Sequence, residues 1–294
     1  MAFLKKLKEE NSITLYKYSG EGLDILPSDE AQKFIDNDRY VKVCAVDLET
    51  TGLDFDSDEI IEVGMRVIAV NRDNYKDVVG VKAYESYNDT EIEIIDEITQ
   101  LTGITKEMIK GHAADWEAVK AVLDISDVAV AHNASFDRFF LEKNIDFKNV
   151  WGCSKADVDW KKRGFLNTKL ELLSIWHGFY YDSHRAMNDT NATIHLLLHP
   201  SYDTYPPLEE LVENSQKSHH LIINKFPYNE TFIKMLKKRG GYRFNPSDKS
   251  WRIFFKEQDL LDREVEWLKK NIYNGYFQGE IKEILPHDKY KMTR

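Results

Sequence analysis

The sequence predicts an α/β fold, a mixed sheet flanked by helices, followed by a small α+β C-terminal module. Three observations carry this. β-Branched runs come first, and helical patterns then alternate with strands, an order that puts helices on both faces of a sheet. A Pro-containing stretch from His199 to Pro207 breaks the alternation and reads as a linker. Charge then reverses: residues 1–216 hold 23 Lys+Arg against 40 Asp+Glu, whereas residues 217–294 hold 17 against 10.

Residues 1–38 form a mixed polar N-terminal extension without clear periodicity. Val41 to Val46 is rich in β-branched residues and predicts a buried strand. Glu59 to Val70 predicts a second strand, and Asp77 to Tyr84 a third after the polar turn Asn71 to Asn74. A short helix starts at Thr105, and Trp116 to Leu123 has helical apolar spacing. Val128 to Ala131 is a compact strand, and Phe136 to Lys143 a helix with Phe139, Phe140 and Leu141 on its buried side. Leu170 to Trp176 and Ala186 to Leu198 predict two more helices. The expected division is therefore 1–38, a body over 39–200, a linker and helix over 201–218, and a module over 219–294.

Composition sets the class. Hydrophobic residues make up 42% and charged residues 31%, as in a soluble globular protein. No apolar run nears the ~18 residues that span a bilayer. The start, Met1 to Leu4 followed by Lys5, lacks a secretory apolar stretch. Cys44 and Cys153 form neither a spaced metal motif nor a disulfide framework, so a cytoplasmic protein with no membrane partner is expected. The net charge of -10 argues against a chain that simply coats nucleic acid. An acidic body suited to cations, joined to a basic tail suited to phosphates, is a different matter.

Four short motifs follow one another along the body: Asp47-Leu48-Glu49-Thr50, Asn133-Ala134-Ser135-Phe136-Asp137, His184 and Asp189. Asp47 and Glu49 lie two apart at the end of a strand, so their side chains share a face. Carboxylates so placed repel unless a cation or proton lies between them. A strand ending in the polar turn Thr50-Thr51-Gly52 would explain them without chemistry. Asp137 follows a strand and opens a helix, where Asn133 and Ser135 could be simple caps. Capping does not explain a second carboxylate at a strand end, where α/β sites form. Asp189 lies in a helix whose Ile194, Leu197 and Leu198 would pack on the sheet.

Asp47-x-Glu49-Thr50, Asn133-x-x-Phe136-Asp137 and His184-x4-Asp189 resemble the three exonuclease motifs of the DnaQ-like superfamily, in its DEDDh branch. Leu101 to Thr105, Ala131-His132-Asn133-Ala134, and His184-Arg185-Ala186 with Ala192-Thr193 add to the likeness, which covers residues 41–198. The resemblance implies an RNase H-like fold for the 39–200 body and 3′→5′ release of nucleoside 5′-monophosphates. It also implies two metal ions, with Asp47 bridging both, Glu49 and Asp189 completing one site, and Asp137 supporting the other through water. All-carboxylate ligation selects Mg²⁺ or Mn²⁺ over zinc. His184 becomes the general base, suited by an ordinary pKa near ~6.5. Thr50, Gly52 and Leu53 would meet the terminal 3′ nucleotide, and Asn133 and Phe136 would line the single-strand path. Cys44, Trp176 and Phe179 read as packing. His132 is not expected to act directly, and His112, His177, His195 and His199 receive no role.

The tail runs from a basic helix through Gly240-Gly241 into two aromatic strands separated by Pro246-Ser247-Asp248, and ends in a helix over Asp259 to Ile272. Its pattern is similar to small modules appended to nucleic-acid-processing enzymes, bacterial DnaQ-like exonucleases among them. Lys237, Lys238, Arg239, Arg243 and Arg252 are candidate phosphate contacts. Tyr242 or Phe244 could stack on bases, although Tyr242, Phe244, Trp251 and Phe254 are mostly expected in a small core. The expected partner is nucleic acid with a free 3′ end, single-stranded DNA favoured, together with a polymerase or repair protein. The stretch from Gln216 is only superficially like a sliding-clamp peptide. An exoribonuclease of the RNase T or oligoribonuclease type is the alternative, because no motif announces a 2′-OH contact. A non-catalytic adaptor is a third reading, opposed by the four mutually repelling carboxylates.

Overall fold

The computed structural model describes residues 14–291, which fall into two units dividing between Ser215 and Gln216. In chain order the first unit contains β1 (Tyr16–Lys17), α1 (Ser28–Ile35), β2 (Tyr40–Thr50), β3 (Ile60–Asn71), β4 (Asn74–Tyr87), α2 (Asp96–Thr102), α3 (Lys106–Ile109), α4 (Trp116–Asp124) and β5 (Val128–Ala131). It continues with α5 (Ala134–Glu142), β6 (Val150–Cys153), α6 (Leu170–Trp176), β7 (Phe179–Tyr180), α7 (Ala186–Leu197) and α8 (Pro207–Ser215). Among the described residues no helix is long and apolar enough to cross a membrane.

Five strands form the sheet in the order β4-β3-β2-β5-β6. β3 runs antiparallel to both β2 and β4, while β5 and β6 are parallel to β2. This is the mixed sheet of the expected α/β, RNase H-like fold. β2 is central and buried from Val41 to Val46, which is why Val43 to Val46 reads as a continuous apolar run rather than an alternation. Because β2 and β5 are parallel, their carboxyl ends share one edge of the sheet. The polar residues that follow each strand therefore meet there. Ala192, Ile194, Leu196 and Leu197 of α7 enter the same core as Val41, Val43, Ile68 and Val128.

Two segments differ from expectation. The N-terminal extension is part of the first unit in its described portion: β1 pairs in parallel with β7, and Tyr18 and Leu23 enter the core. Ser19, Gly20 and Gly22 interrupt the segment that holds them, so no period reveals them. Likewise, the helix after the Pro-containing linker does not stand apart, because Leu208, Leu211 and Val212 of α8 lie in the same core. Gly152 of β6 admits it, since a Cβ there would sit 2.5 Å from Leu211 Cδ2.

The second unit contains β8 (His219–Asn224), α9 (Glu230–Arg239), β9 (Arg243–Asn245), β10 (Ser250–Phe255), α10 (Gln258–Asn271) and β11 (Glu280–Ile284). Its antiparallel sheet has the order β11-β8-β10-β9. Leu236, Leu261 and Leu268 from the helices pack with Ile222, and Tyr242, Trp251 and Ile253 close around them. Phe244 and Phe254 are half exposed instead, at 50% and 52%. α9 stops at Gly240 and Gly241, whose φ values of 82° and 77° suit glycine alone.

Candidate active site

Asp47 and Glu49 close β2, opposite Gly64 and Glu62 of β3. Gly64 lets the first turn of α7 settle onto the sheet, where a Cβ would stand 2.4 Å from the Ala186 carbonyl carbon. Thr190 then donates its hydroxyl to the Gly64 carbonyl at 3.0 Å. This close seating carries Asp189 to β2. Asp189 lies in the first turn of its helix. Its Oδ1 accepts from the Tyr181 hydroxyl at 2.8 Å and its Oδ2 from the Arg185 amide at 3.2 Å. Asp137 enters from the first turn of α5 and is almost wholly buried.

Asp47, Glu49 and Asp189 bring one oxygen each to within 4.8 Å of one another. The electrostatics follow from that crowding in a buried place. Burial, then Asp189 and Asp137, push Asp47 well above the usual carboxylate range. Burial and Asp189 push Glu49 up to about 8. Asp137 rises to about 8, chiefly by burial, although the amides of Asp137 and Leu48 pull it back. Asp189 is also raised by burial, opposed by the Tyr181 hydroxyl and the Arg185 amide. Crowded oxygen donors that repel one another fit hard divalent cations.

A cleft of about 550 Å³ is lined by Asp47, Glu49, Asp137, His184 and Asp189 together with Leu53, Asn133 and Phe136. His184 reaches it from a left-handed backbone conformation, φ 62°, with Nε2 3.6 Å from Glu171 Oε1. Asn133 holds the N-cap position of α5 without a side-chain cap bond, which leaves its amide available to the cleft. Phe136 packs at a tilt against Phe140 and Phe55, at ring-centroid distances of 4.9 and 5.9 Å.

Thr50 and Gly52 are not among the cleft-lining residues. The Thr50 hydroxyl donates to the Gly52 carbonyl at 2.6 Å, and a Cβ on Gly52 would meet Asp58 Oδ2 at 2.4 Å. Both residues therefore shape the turn that leads to Leu53. His132 lines the cleft but is locked between the Ser154 hydroxyl and the Thr168 carbonyl, each at 2.7 Å. Burial pushes its pKa down to about 4. Lys155, Thr168, Lys169, Glu171 and Tyr181 also line the cleft, and no sequence motif points to them as site residues. Only Tyr181, three residues before His184, lay close enough to a motif to have drawn notice.

The tail candidates lie in the second unit and divide into two groups. Arg239 pairs with Glu264 at 2.9 Å and lies over the Trp267 ring. Arg252 pairs with Asp248 at 3.0 Å. Lys237, Lys238 and Arg243 are exposed and make no ion pair among the described residues.

Comparison with known proteins places this geometry. The model of the Exonuclease family matches residues 44–197. A DNA polymerase III PolC-type protein of Clostridium perfringens is 29% identical over 311 aligned positions, covering 94% of this chain and 20% of that protein. The 3'-5' exonuclease DinG of Staphylococcus epidermidis is 29% identical over 248 positions, covering 81% of this chain and 26% of that protein. This chain thus spans about a quarter or less of either relative. Among solved structures, exonuclease X in complex with 5' overhanging duplex DNA is 19% identical over 58% of this chain and 98% of its own, with a TM-score of 0.43. With its family match extending over more than half of its length and enclosing every carboxylate and both histidines of the cleft, this chain belongs to the exonuclease family.

Proposed function

We propose that the protein is a 3′→5′ exonuclease that hydrolyses nucleic acid from its 3′ end with two Mg²⁺ or Mn²⁺ ions and releases nucleoside 5′-monophosphates. The observation that carries the reading is the gathering of Asp47, Glu49, Asp137, Asp189 and His184 around one cleft. Asp47, Glu49 and Asp189 hold cations, with Asp137 supporting the second. When bound, such ions neutralise charge on the phosphoryl group and acidify the attacking water. His184 takes the water's proton on its imidazole, and the Glu171 carboxylate 3.6 Å away stabilises the resulting charge. Lys155 and Lys169 meet the phosphates that enter the cleft. Leu53, Asn133 and Phe136 orient the terminal nucleotides, and the turn through Thr50 and Gly52 fixes Leu53.

The polarity is supported by the DinG relative, which is named a 3'-5' exonuclease. The PolC-type relative favours DNA as substrate and a polymerase or repair protein as partner. Two free buried cysteines, Cys44 and Cys153, suit a cytoplasmic setting. The module over 219–294 adds affinity for long strands through Lys237, Lys238 and Arg243.

The test is digestion of matched 5′-labelled single-stranded DNA and RNA with Mg²⁺, Mn²⁺ or EDTA, beside Asp47→Ala. A metal-dependent ladder that shortens from the 3′ end, is faster on DNA and is absent in the variant is the expected result. Binding without shortening in any metal would replace the enzyme with an adaptor.

A further inference from the structure

His184 is a non-glycine residue at φ 62°, a conformation that L side chains seldom adopt and that surrounding bonds must hold. Those bonds are visible just after it. The Arg185 amide is captured by Asp189 Oδ2 at 3.2 Å, and the Ala186 amide by Glu62 Oε2 at 2.9 Å. The Arg185 side chain turns back onto the same carboxylate. Its Nε donates to both oxygens at 3.1 and 3.2 Å, and its Nη2 donates to Oε1 at 2.7 Å. Nη2 also donates to the Tyr87 hydroxyl at 2.6 Å.

Glu62 is only 1% exposed, so a charge there must be paired, and one guanidinium and one amide pair it completely. The sheet register adds the decisive point. Glu62 of β3 stands opposite Glu49 of β2 on one side and Tyr87 of β4 on the other. Cross-strand partners share a face, so Glu49, Glu62 and Tyr87 form one row across three strands. One end of the row is a candidate metal ligand, and its other two members grip the residues following the candidate base.

We infer that Glu62, with Arg185 and Tyr87, is a positioning residue that fixes His184 relative to the carboxylates of β2. It touches no reacting atom itself. This rests on the proposed role of His184 as general base, and a bond network that only capped α7 would stabilise the fold without acting through that side chain.

The experiment is steady-state digestion of a 5′-labelled single-stranded oligonucleotide by the full chain in saturating Mn²⁺. Glu62→Gln and Tyr87→Phe are each compared alone and combined with His184→Ala, with thermal midpoints recorded for all. Misplacing a catalytic group by about 1 Å costs about 10²-fold in rate. Glu62→Gln should therefore lower kcat by about that factor, with KM changed less than about twofold. Tyr87→Phe should give a smaller drop of the same kind. Both losses should vanish in the His184→Ala background. Losses of equal size with and without His184, or wild-type kcat in Glu62→Gln, would overturn the inference alone. Wild-type turnover in His184→Ala by itself would overturn the role of His184 and this inference with it. If Glu62→Gln does not fold, Tyr87→Phe decides on the same criterion, since it keeps the ring and removes one hydroxyl.

Discussion

Gly64→Ala is a one-carbon change that should disable the site from beneath. The new Cβ would lie 2.4 Å from the Ala186 carbonyl carbon, 2.5 Å from the Met187 nitrogen and 2.7 Å from the Ala186 oxygen. Ordinary contact begins at 3.4 Å, so the start of α7 must lift by about 1 Å. Every atom it meets is backbone, and no side chain can swing aside. Overpacking of this sort costs about 1–3 kcal/mol, which lowers the thermal midpoint by roughly 5 °C. The larger effect is catalytic, because Asp189 and His184 ride on the displaced segment. A shift of about 1 Å predicts about 10²-fold slower turnover. Digestion of a labelled oligonucleotide at saturating Mn²⁺, at a temperature well below both midpoints, separates the two effects. Turnover within about twofold of the parent, in a folded variant, would refute the claim that this contact sets the position of the two groups.

Asp47→Asn should abolish turnover yet raise the thermal midpoint in EDTA, because it removes one of four crowded buried carboxylates; a lowered midpoint would contradict the repulsion argued here. Glu49 and Asp137 stand at about 8, above ordinary values of 4.5 and 3.8. Their protonation favours the fold most fully below the ordinary values. Metal-free stability should therefore fall as pH rises through about 8, and a scan in EDTA that shows a rise over that range would count against it. Stabilisation by Mn²⁺ should grow over the same interval. Tyr181→Phe deletes the 2.8 Å bond to Asp189 Oδ1 and should weaken Mn²⁺ binding about 10- to 100-fold by calorimetry; unchanged affinity would remove Tyr181 from the site's support. Replacing Lys237, Lys238 and Arg243 together by Ala should raise KM for long strands but not for dinucleotides, and an equal change on both would exclude a role in holding the strand.

The site was legible where chemistry sits next to strong local pattern. Asp47 and Glu49 end an apolar strand, and Asp137 follows another, so period and residue type reinforced one another. Glu62 was not legible, although it lies inside a recognised strand, because its partner Arg185 is 123 residues away. Strands of two residues such as β1 and β7 have no period to read. β6, four residues including Trp151 and Gly152, is nearly as short. α1 went unnoticed because its N-cap position is Pro27, without a side-chain cap. In the tail, Arg239 and Arg252 resembled free cations because Glu264 lies a whole hairpin away and Asp248 acts across a turn.

The seating of α8 on Gly152 has a practical meaning for anyone who shortens the chain. β6 is the last strand of its sheet, and the face on which Gly152 lies is the one that Leu211 and Ser215 of α8 cover. A version ending near residue 200, where the linker suggests a natural stop, would strip Leu208, Leu211 and Val212 from the core beside that strand. An apolar sheet face uncovered in this way becomes a site of association. Such a version should therefore self-associate, whereas one ending after Ser215 keeps its guard helix and should stay dispersed.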